Sequence, residues 1–497
     1  WRKIASFPGV PSQTYVSYLF PSWFDPNVVF GAFDDHQRGV FAPFLLRSDD
    51  RGATWTSIAG DLPKRGTVYA IAQDFEKPDL LFAGTEFGLF FTLDGGKKWI
   101  RLKGGLPPIA VRDLAIQRRA NDLVLATFGR GFYVLDDYSA LRRISKESLE
   151  KEAGLFPVKS GEFYVPAEPL GLKEKSFQGE SFYEAPNPPF GAAVTYYLKD
   201  EIKGRRAARQ EEEKRTVERG HEVSYPSWEA LKSEAREEDP AVLLTVSDEG
   251  GNVVRRIVGP VKAGFHRVAW DLRYPAPNPT DPKPPKDDDP FADKPEGPLV
   301  VPGTYRVTMA KRVEGVETPL GEAQTFTVLP VGSGGLGKEQ RAELLAFQRK
   351  TASLQRAVLG SAKLVKETLD RISILKKALV DTTGADAKLY AQASTLEARL
   401  KDAQEELTGG TVRSRYNEPE PPSIAERVSS IVSGHWSTTG MPTATHRKAY
   451  DLAAHDFAGV LAHLTQIVEV DLKALEDRAE ALGAPWTPGR VPRWKPE

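Results

Sequence analysis

The sequence predicts a multidomain protein: β-propeller blades, then a β-sandwich, then an antiparallel α-helical bundle. Three observations predict it. The pattern [ST]-x-D-x-G-x-x-W occurs twice, with its tryptophans, Trp55 and Trp99, 44 residues apart. Alternating Val-, Thr- and Tyr-rich strands fill the middle of the chain. From Lys338 the apolar period changes to a 3-4 heptad. The 497 residues suffice for two to four domains at roughly 100–200 residues each.

The repeats come first. Ser48, Asp50, Gly52 and Trp55 make one copy of the pattern, and Thr92, Asp94, Gly96 and Trp99 the other. Asp accepts backbone N–H bonds inside a tight turn, Gly takes backbone angles that other residues resist, and Trp packs the turn onto a sheet. These residues build a turn, so Asp50 and Asp94 are expected to be structural. Around them recur four short strands per unit of about 44 residues, as in a propeller blade. One unit runs Val68–Ala72, Leu80–Gly84, Leu89–Phe91 and the Trp99 strand. The next runs Val111–Ile116, Leu123–Thr127 and Phe132–Leu135. An earlier one holds Tyr15–Leu19 and Val28–Ala32.

These motifs resemble Asp boxes, as in bacterial BNR-repeat proteins, sialidases, sortilin-type receptors and two-propeller xyloglucanases. Ala126-Thr127-Phe128-Gly129-Arg130-Gly131-Phe132-Tyr133-Val134-Leu135-Asp136-Asp137 is similar to the end of the propeller in the sortilin-like, "glycosyl hydrolase, BNR repeat" family. That resemblance extends over most of the chain and implies a secreted, periplasmic or cell-surface protein. Trp1-Arg2-Lys3-Ile4 parallels Trp55-Thr56-Ser57-Ile58, so Trp1 is expected to close an earlier box. Residues 1–140 are then the C-terminal blades of a longer propeller. Their missing neighbours come from upstream sequence or a second chain, because closed propellers use about four to eight blades.

Residues 141–180 are expected as a linker with one short strand, Glu162–Val165. Residues 181–331 are expected as the sandwich, with strands near 192–199, 241–247, 252–258, 265–272, 304–311 and 325–329 and a Gly250-Gly251 hairpin turn. Gly264–Asp271 and Pro302–Tyr305 resemble Ig- or fibronectin-like accessory modules. A charged insertion at 199–239 holds 10 Lys/Arg and 12 Asp/Glu, a mixed balance that reads as a solvated helix or helix hairpin. Asp287-Asp288-Asp289 lacks the alternation of a calcium loop and reads as a solvated loop.

Residues 332–337 are a glycine-rich linker. Gly332–Lys338 matches G-x-x-x-x-G-K, but Glu339 stands where a phosphate loop needs Ser or Thr. Residues 338–485 are the helical bundle, and 486–497 a tail. Leu344, Phe347, Thr351, Leu354, Val358, Ser361, Val365, Thr368, Ile372, Leu375 and Leu379 mark one long helix. Leu389, Ala393, Leu396, Leu400, Ala403 and Leu407 mark a second. Ser423-Ile424-Ala425-Glu426 is a capping box. A last helix, about 443–482, is expected to point Tyr450, Phe457, Leu461, Leu464, Val468, Leu475 and Leu482 inward.

The chemistry is less legible. Lys+Arg number 67 and Asp+Glu 68, which excludes a generally basic nucleic-acid binder. Cysteine is absent, which excludes disulfides and a cysteine nucleophile. No apolar window reaches the ~18 residues of a membrane span. The seven histidines form no metal motif, so no metal and no cofactor is expected. The face opposite the Asp boxes collects Asp34, Asp35 and Glu86 as candidate catalytic carboxylates. His36, Arg38 and Arg130 join them as candidate binding residues, with Lys64 and Arg65 nearby. No sialidase-type F/Y-R-I-P motif occurs. The expected function is therefore a non-catalytic recognition or scaffold protein. The alternatives are a glycoside hydrolase of the sialidase or xyloglucanase kind, acting on an extracellular polysaccharide, and a sortilin-like peptide binder. Expected partners are the missing blades, a carbohydrate or peptide ligand, and a second copy through the helical bundle.

Overall fold

The computed structural model describes residues 3–166, 179, 181, 185–281, 295–332, 335–416, 418–436 and 438–496. The expected box end at Trp1 and the Asp287–Asp289 run lie outside them, as do Ser333 and Gly334 of the glycine-rich segment.

The first region is three consecutive antiparallel meanders. Strands β1 (Tyr15–Pro21), β2 (Val29–Asp35), β3 (Val40–Ser48) and β4 (Thr56–Ser57) form the first sheet in chain order. β5 (Val68–Gln73), β6 (Leu81–Thr85), β7 (Gly88–Thr92) and β8 (Trp99–Arg101) form the second. β9 (Val111–Gln117), β10 (Asp122–Thr127) and β11 (Phe132–Leu135) form a third, three-stranded one. Side chains alternate along a strand, so each sheet turns a buried set of residues toward its neighbour. One core, with Phe30, Leu45, Ile71 and Leu81, joins the first and second sheets. Another, with Ala70, Phe82, Leu89, Leu114 and Leu123, joins the second and third. The middle sheet is therefore covered on both sides, and every residue of β5, β6 and β7 is buried.

The first strand of each sheet carries a β-bulge at one residue. The register skips Ser17 in β1, Tyr69 in β5 and Arg112 in β9. A bulge leaves one residue unpaired and re-aims its side chain.

The middle region holds α1 (Lys146–Glu150), β12 (Ala153–Leu155), β13 (Gly161–Phe163), β14 (Ala192–Leu198), α2 (Arg205–Glu218), α3 (Trp228–Ala235), β15 (Ala241–Asp248), β16 (Val253–Gly259), β17 (Gly264–Trp270), β18 (Gly303–Val313) and β19 (Val316–Pro330). Two sheets, β12-β14-β17 and β13-β19-β18-β15-β16, share a core in which Trp270 packs against Tyr305 and Phe326. The stretch expected as a linker is part of this architecture: β12 pairs with β14, and β13 runs parallel to β19. Long-range pairing, invisible to local pattern, draws these three-residue strands in. β18 and β19 are also longer than expected, because Glu314-Gly315, both at positive φ, closes them into one hairpin. The charged insertion folds as α2 and α3, joined by Arg209, which donates to Glu234 at 2.6 and 2.8 Å.

The last region comprises α4 (Lys338–Val380), α5 (Ala387–Thr408), α6 (Thr411–Arg415), α7 (Ile424–His435), α8 (Ala444–Thr465) and α9 (Leu472–Ala481). The stripes of α4 and α5 face one shared core, and Ser423 and Glu426 cap α7 reciprocally. The last helix departs from expectation. Leu461 and Leu482 are exposed, while Val460 and Ile467 point inward. A π-helical stretch, Gln466–Asp471, joins α8 to α9. Its extra residue per turn lengthens the buried spacing from Ile467 to Leu472. A strict heptad therefore loses phase there. None of the helices among the described residues is long and apolar enough to cross a membrane.

Candidate functional site

The two Asp boxes fold alike. Ser48 Oγ donates to Asp50 Oδ1 at 2.8 Å, Gly52 N donates to Ser48 Oγ at 2.8 Å, and Thr54 N donates to Asp50 Oδ1 at 2.7 Å. In the second box Thr92 Oγ1 donates to Asp94 Oδ1 at 2.7 Å, and Lys97 N and Lys98 N donate to the same oxygen at 3.1 and 3.0 Å. Bonds from Thr54 N, Thr54 Oγ1 and Ser48 hold the Asp50 carboxyl down at about 2. Burial opposes the charge of Asp94, but its hydrogen bonds from Lys98, Thr92 and Lys97 outweigh it, so this carboxyl also lies below the ordinary range. Each box leans on the first turn of its own sheet: Arg51 N donates to Asn27 O at 2.8 Å and Gly95 N to Asp79 O at 3.0 Å. The boxes and those turns therefore share a face.

The candidate chemistry lies at the other end of the strands. Asp34 and Asp35 end β2, and consecutive strand residues point to opposite sides. Asp34, with a side chain 9% exposed, has both carboxylate oxygens 2.7 Å from His36 Nδ1 and also accepts from His36 N at 3.0 Å. Asp35, 5% exposed, accepts from Arg38 Nε at 2.6 Å, and Arg38 also donates to Ser12 O at 2.8 Å. Glu86 occupies the β6–β7 turn, where its N donates to Thr67 O at 3.0 Å and its Oε2 is buried without a hydrogen bond. Arg65 lies over the Phe41 ring at 4.6 Å. Lys64 is exposed at the same loop, and Arg130 sits exposed in the Thr127–Gly131 turn, with no contact linking it to the others among the described residues.

Two bulge residues organise this end. Arg112 stacks on the ring of Tyr69 at 3.8 Å and reaches Phe128 at 5.3 Å. His36 meets Tyr69 edge-on, with centroids 6.5 Å apart. Burial raises the Tyr69 phenol above its usual range; the Arg112 charge opposes the rise, and Asp34 and Glu86 add to it. Asp34, His36, Glu86 and Arg112 thus converge on Tyr69 from all three sheets, whereas Asp35 and Arg38 face away toward Ser12. Neither Tyr69 nor Arg112 emerged from the sequence. A period-two reading treats both as ordinary strand positions, and a bulge has no local signature apart from the repeat register.

A second feature was also missed. Asp74 is fully buried and accepts from Tyr138 Oη at 2.7 Å and from Arg142 Nη2 at 2.8 Å and Nε at 3.0 Å. It also accepts from Glu76 N and Lys77 N at 2.9 and 2.7 Å. Burial pushes its pKa up, but the Arg142, Tyr138 and backbone bonds more than offset this and it lies below the ordinary range. This cluster ties the segment after β11 to the β5–β6 turn.

No family model matches the chain, and no curated protein sequence does. Solved structures similar to parts of it include YCF48 bound to D1 peptide, with 19% identity, 26% of this chain and 37% of that one covered, and a TM-score of 0.20. The extracellular domain of BT4673 from B. thetaiotaomicron shows 9% identity over 64% of this chain and 31% of that one, at 0.19. The GH74 xyloglucanase from Xanthomonas campestris shows 10% identity over 67% and 40%, at 0.21. The chain spans between 31% and 40% of the length of these three structures. At these scores and identities they fix neither family nor ligand for this chain.

Proposed function

We propose that the three meanders are blades of a β-propeller in an extracellular or periplasmic recognition protein. The middle region serves as an Ig- or fibronectin-like sandwich and the last as an antiparallel bundle. The end carrying Tyr69 and Arg112 binds the ligand. One observation carries this reading: Asp34 and Asp35 are each engaged by a neighbouring cation or imidazole, while Arg112 is presented on two aromatic rings. A guanidinium held flat on aromatic faces suits a carboxylate-bearing carbohydrate or peptide, because it offers paired donors in a fixed plane. Exposed Lys64, Arg65 and Arg130 add positive charge around it. Isothermal titration with polygalacturonate should give binding that Arg112→Ala weakens at least tenfold, and neutral xyloglucan should bind no better than to the variant. Equal binding by Arg112→Ala and wild type would remove the reading.

Glu86 supports a second reading, glycoside hydrolysis, because its carboxyl oxygen has no hydrogen-bond partner in the protein and lies near Tyr69, where it is left for a substrate oxygen. Reducing sugar released from xyloglucan, and lost in Glu86→Gln, would establish it.

Further blades of the same precursor or of a second chain are proposed to cover the flanks. Tyr15 and Leu19 of β1 are 71% and 58% exposed, and Phe132 and Val134 of β11 are 76% and 52% exposed. An apolar edge of this kind invites another sheet. Light scattering and cross-linking of the chain read this directly: a monomer with uncrosslinked flanks at high concentration counts against a second copy as the cover.

A further inference from the structure

A cavity of about 460 Å³ opens between the middle region and the start of α4, away from the Tyr69 end. Its size and walls are those of a small-molecule site, mostly apolar with a few polar groups. Phe163, at the end of β13, and Leu299 and Val300, all three buried, supply apolar wall from the sheet side. The helical wall is a single stripe of α4: Arg341, Leu344 and Gln348, at spacings of three and four residues.

The two polar members of that stripe keep hydrogen-bonding groups that the protein does not use. Gln348 is 2% exposed, its Oε1 is buried without a partner, and its amide nitrogen forms no hydrogen bond among the described residues. Buried primary amides normally have partners. Arg341 uses Nε to donate to Leu336 O at 2.7 Å, which holds the guanidinium at the cavity wall, and it has no carboxylate partner among the described residues. Arg341 also stands in the first turns of a 43-residue helix, where the macrodipole favours an anion. Thr351 Oγ1, one turn behind Gln348, is also buried without a partner.

We propose that this cavity binds a small elongated carboxylate. Its carboxylate lies against Arg341, its skeleton on Leu344, Leu299 and Val300, and its far-end hydroxyl on the Gln348 amide. Seven residues at 1.5 Å rise set the Cα atoms of the two polar anchors ~10 Å apart. That separation selects molecules of the length of 4-hydroxycinnamate over short acids.

Isothermal titration of the full chain with three probes tests this: 4-hydroxycinnamate, cinnamate without the hydroxyl, and methyl 4-hydroxycinnamate without the charge. The first should bind at least tenfold more tightly than either of the others. Arg341→Met, at a half-exposed position, should abolish the preference for acid over ester. Gln348→Leu should abolish the preference for the hydroxyl and also raise the Tm of the free protein, because it removes an unpartnered buried amide. No heat with 4-hydroxycinnamate at millimolar concentration overturns the proposal. Equal affinity for all three probes, or preferences unchanged in Arg341→Met, overturns it as well.

Discussion

The two Asp boxes share one local design but not one environment. In the first, Trp55 Nε1 donates at 3.2 Å to Gly52 O of its own turn, and Trp55 packs on Phe7 and Phe33. In the second, Trp99 Nε1 donates at 3.0 Å to Ile58 O of the preceding unit, and Trp99 N donates at 2.6 Å to Asp61. A Cβ on Gly96 would sit 2.7 Å from Ile58 O, and one on Gly60 would sit 2.5 Å from Gly96 O. The second box is thus interlocked with the loop that enters its sheet. The third unit has no box. There Asp137 caps a short helical turn and Tyr138 and Arg142 reach back to buried Asp74. The motif sets the turn, while the neighbouring unit decides how much stability the turn carries.

The largest effect should come from the cluster that ties the third unit to the second. Asp74→Ala leaves the Tyr138 hydroxyl and the Glu76 and Lys77 amides without their acceptor, while Arg142 keeps Glu76 at 2.7 Å and Asn121 at 2.8 Å, and should cost about 2–4 kcal/mol in urea unfolding. A loss under about 1 kcal/mol would mean that the cluster relaxes to water and the boxes alone hold the array. Next comes the glycine pair. Gly96 has φ +103° with backbone in the way, whereas Gly52 has φ +81° and meets first Ile4 Cδ1, a flexible atom, at 3.2 Å. Gly96→Ala should cost about 2–3 kcal/mol and Gly52→Ala about 1. Equal losses would show that φ matters and the interlock does not.

Asp94→Ala should lower stability by about 1–2 kcal/mol, at the lower end of the 1–3 expected for unpaired turn N–H groups because the carboxylate is exposed. Asp50→Ala should lower Tm less, and neither should alter ligand binding. A reversed order would place the weight on the first box.

The smallest effect sharpens a contrast between regions. His435 is fully buried in the helical region with neither ring nitrogen bonded. Burial, then His446, then Arg447, depress its pKa to about 4. Because the folded value lies below the unfolded ~6.5, stability is complete above pH ~6.5 and falls as pH drops toward 4. Asp50, at about 2, and Asp94, also depressed, lose their contribution only below pH ~4. Hydrogen exchange on a pH series should show protection in α7 and the facing turns of α4 and α8 weakening before protection in β5–β8. Simultaneous loss would mean that the regions unfold as one unit.

Much of the architecture can be read along the chain because it is local. Leu344 through Leu379 repeat every three or four residues, Ser423 and Glu426 stand at cap spacing, and Ser48 to Trp55 reads as a turn. Each of these needs no distant residue. The same sequence also places Asp34, Asp35, His36, Arg38 and Glu86 at one end of the strands, since connections alternate between faces. Which of them converge was not readable. Asp34 and Asp35 part because a strand turns consecutive side chains to opposite sides, and Tyr69 and Arg112 join Asp34 because bulges re-aim them. Only the tertiary structure decided these matters: the pairing of β12 and β13 into the middle sheets, the π-helical phase shift before α9, the burial of Asp74 under Arg142, and the cavity beside Gln348. Each depends on groups distant in sequence meeting, and the packing energy that brings them together leaves no periodic trace in the residues themselves.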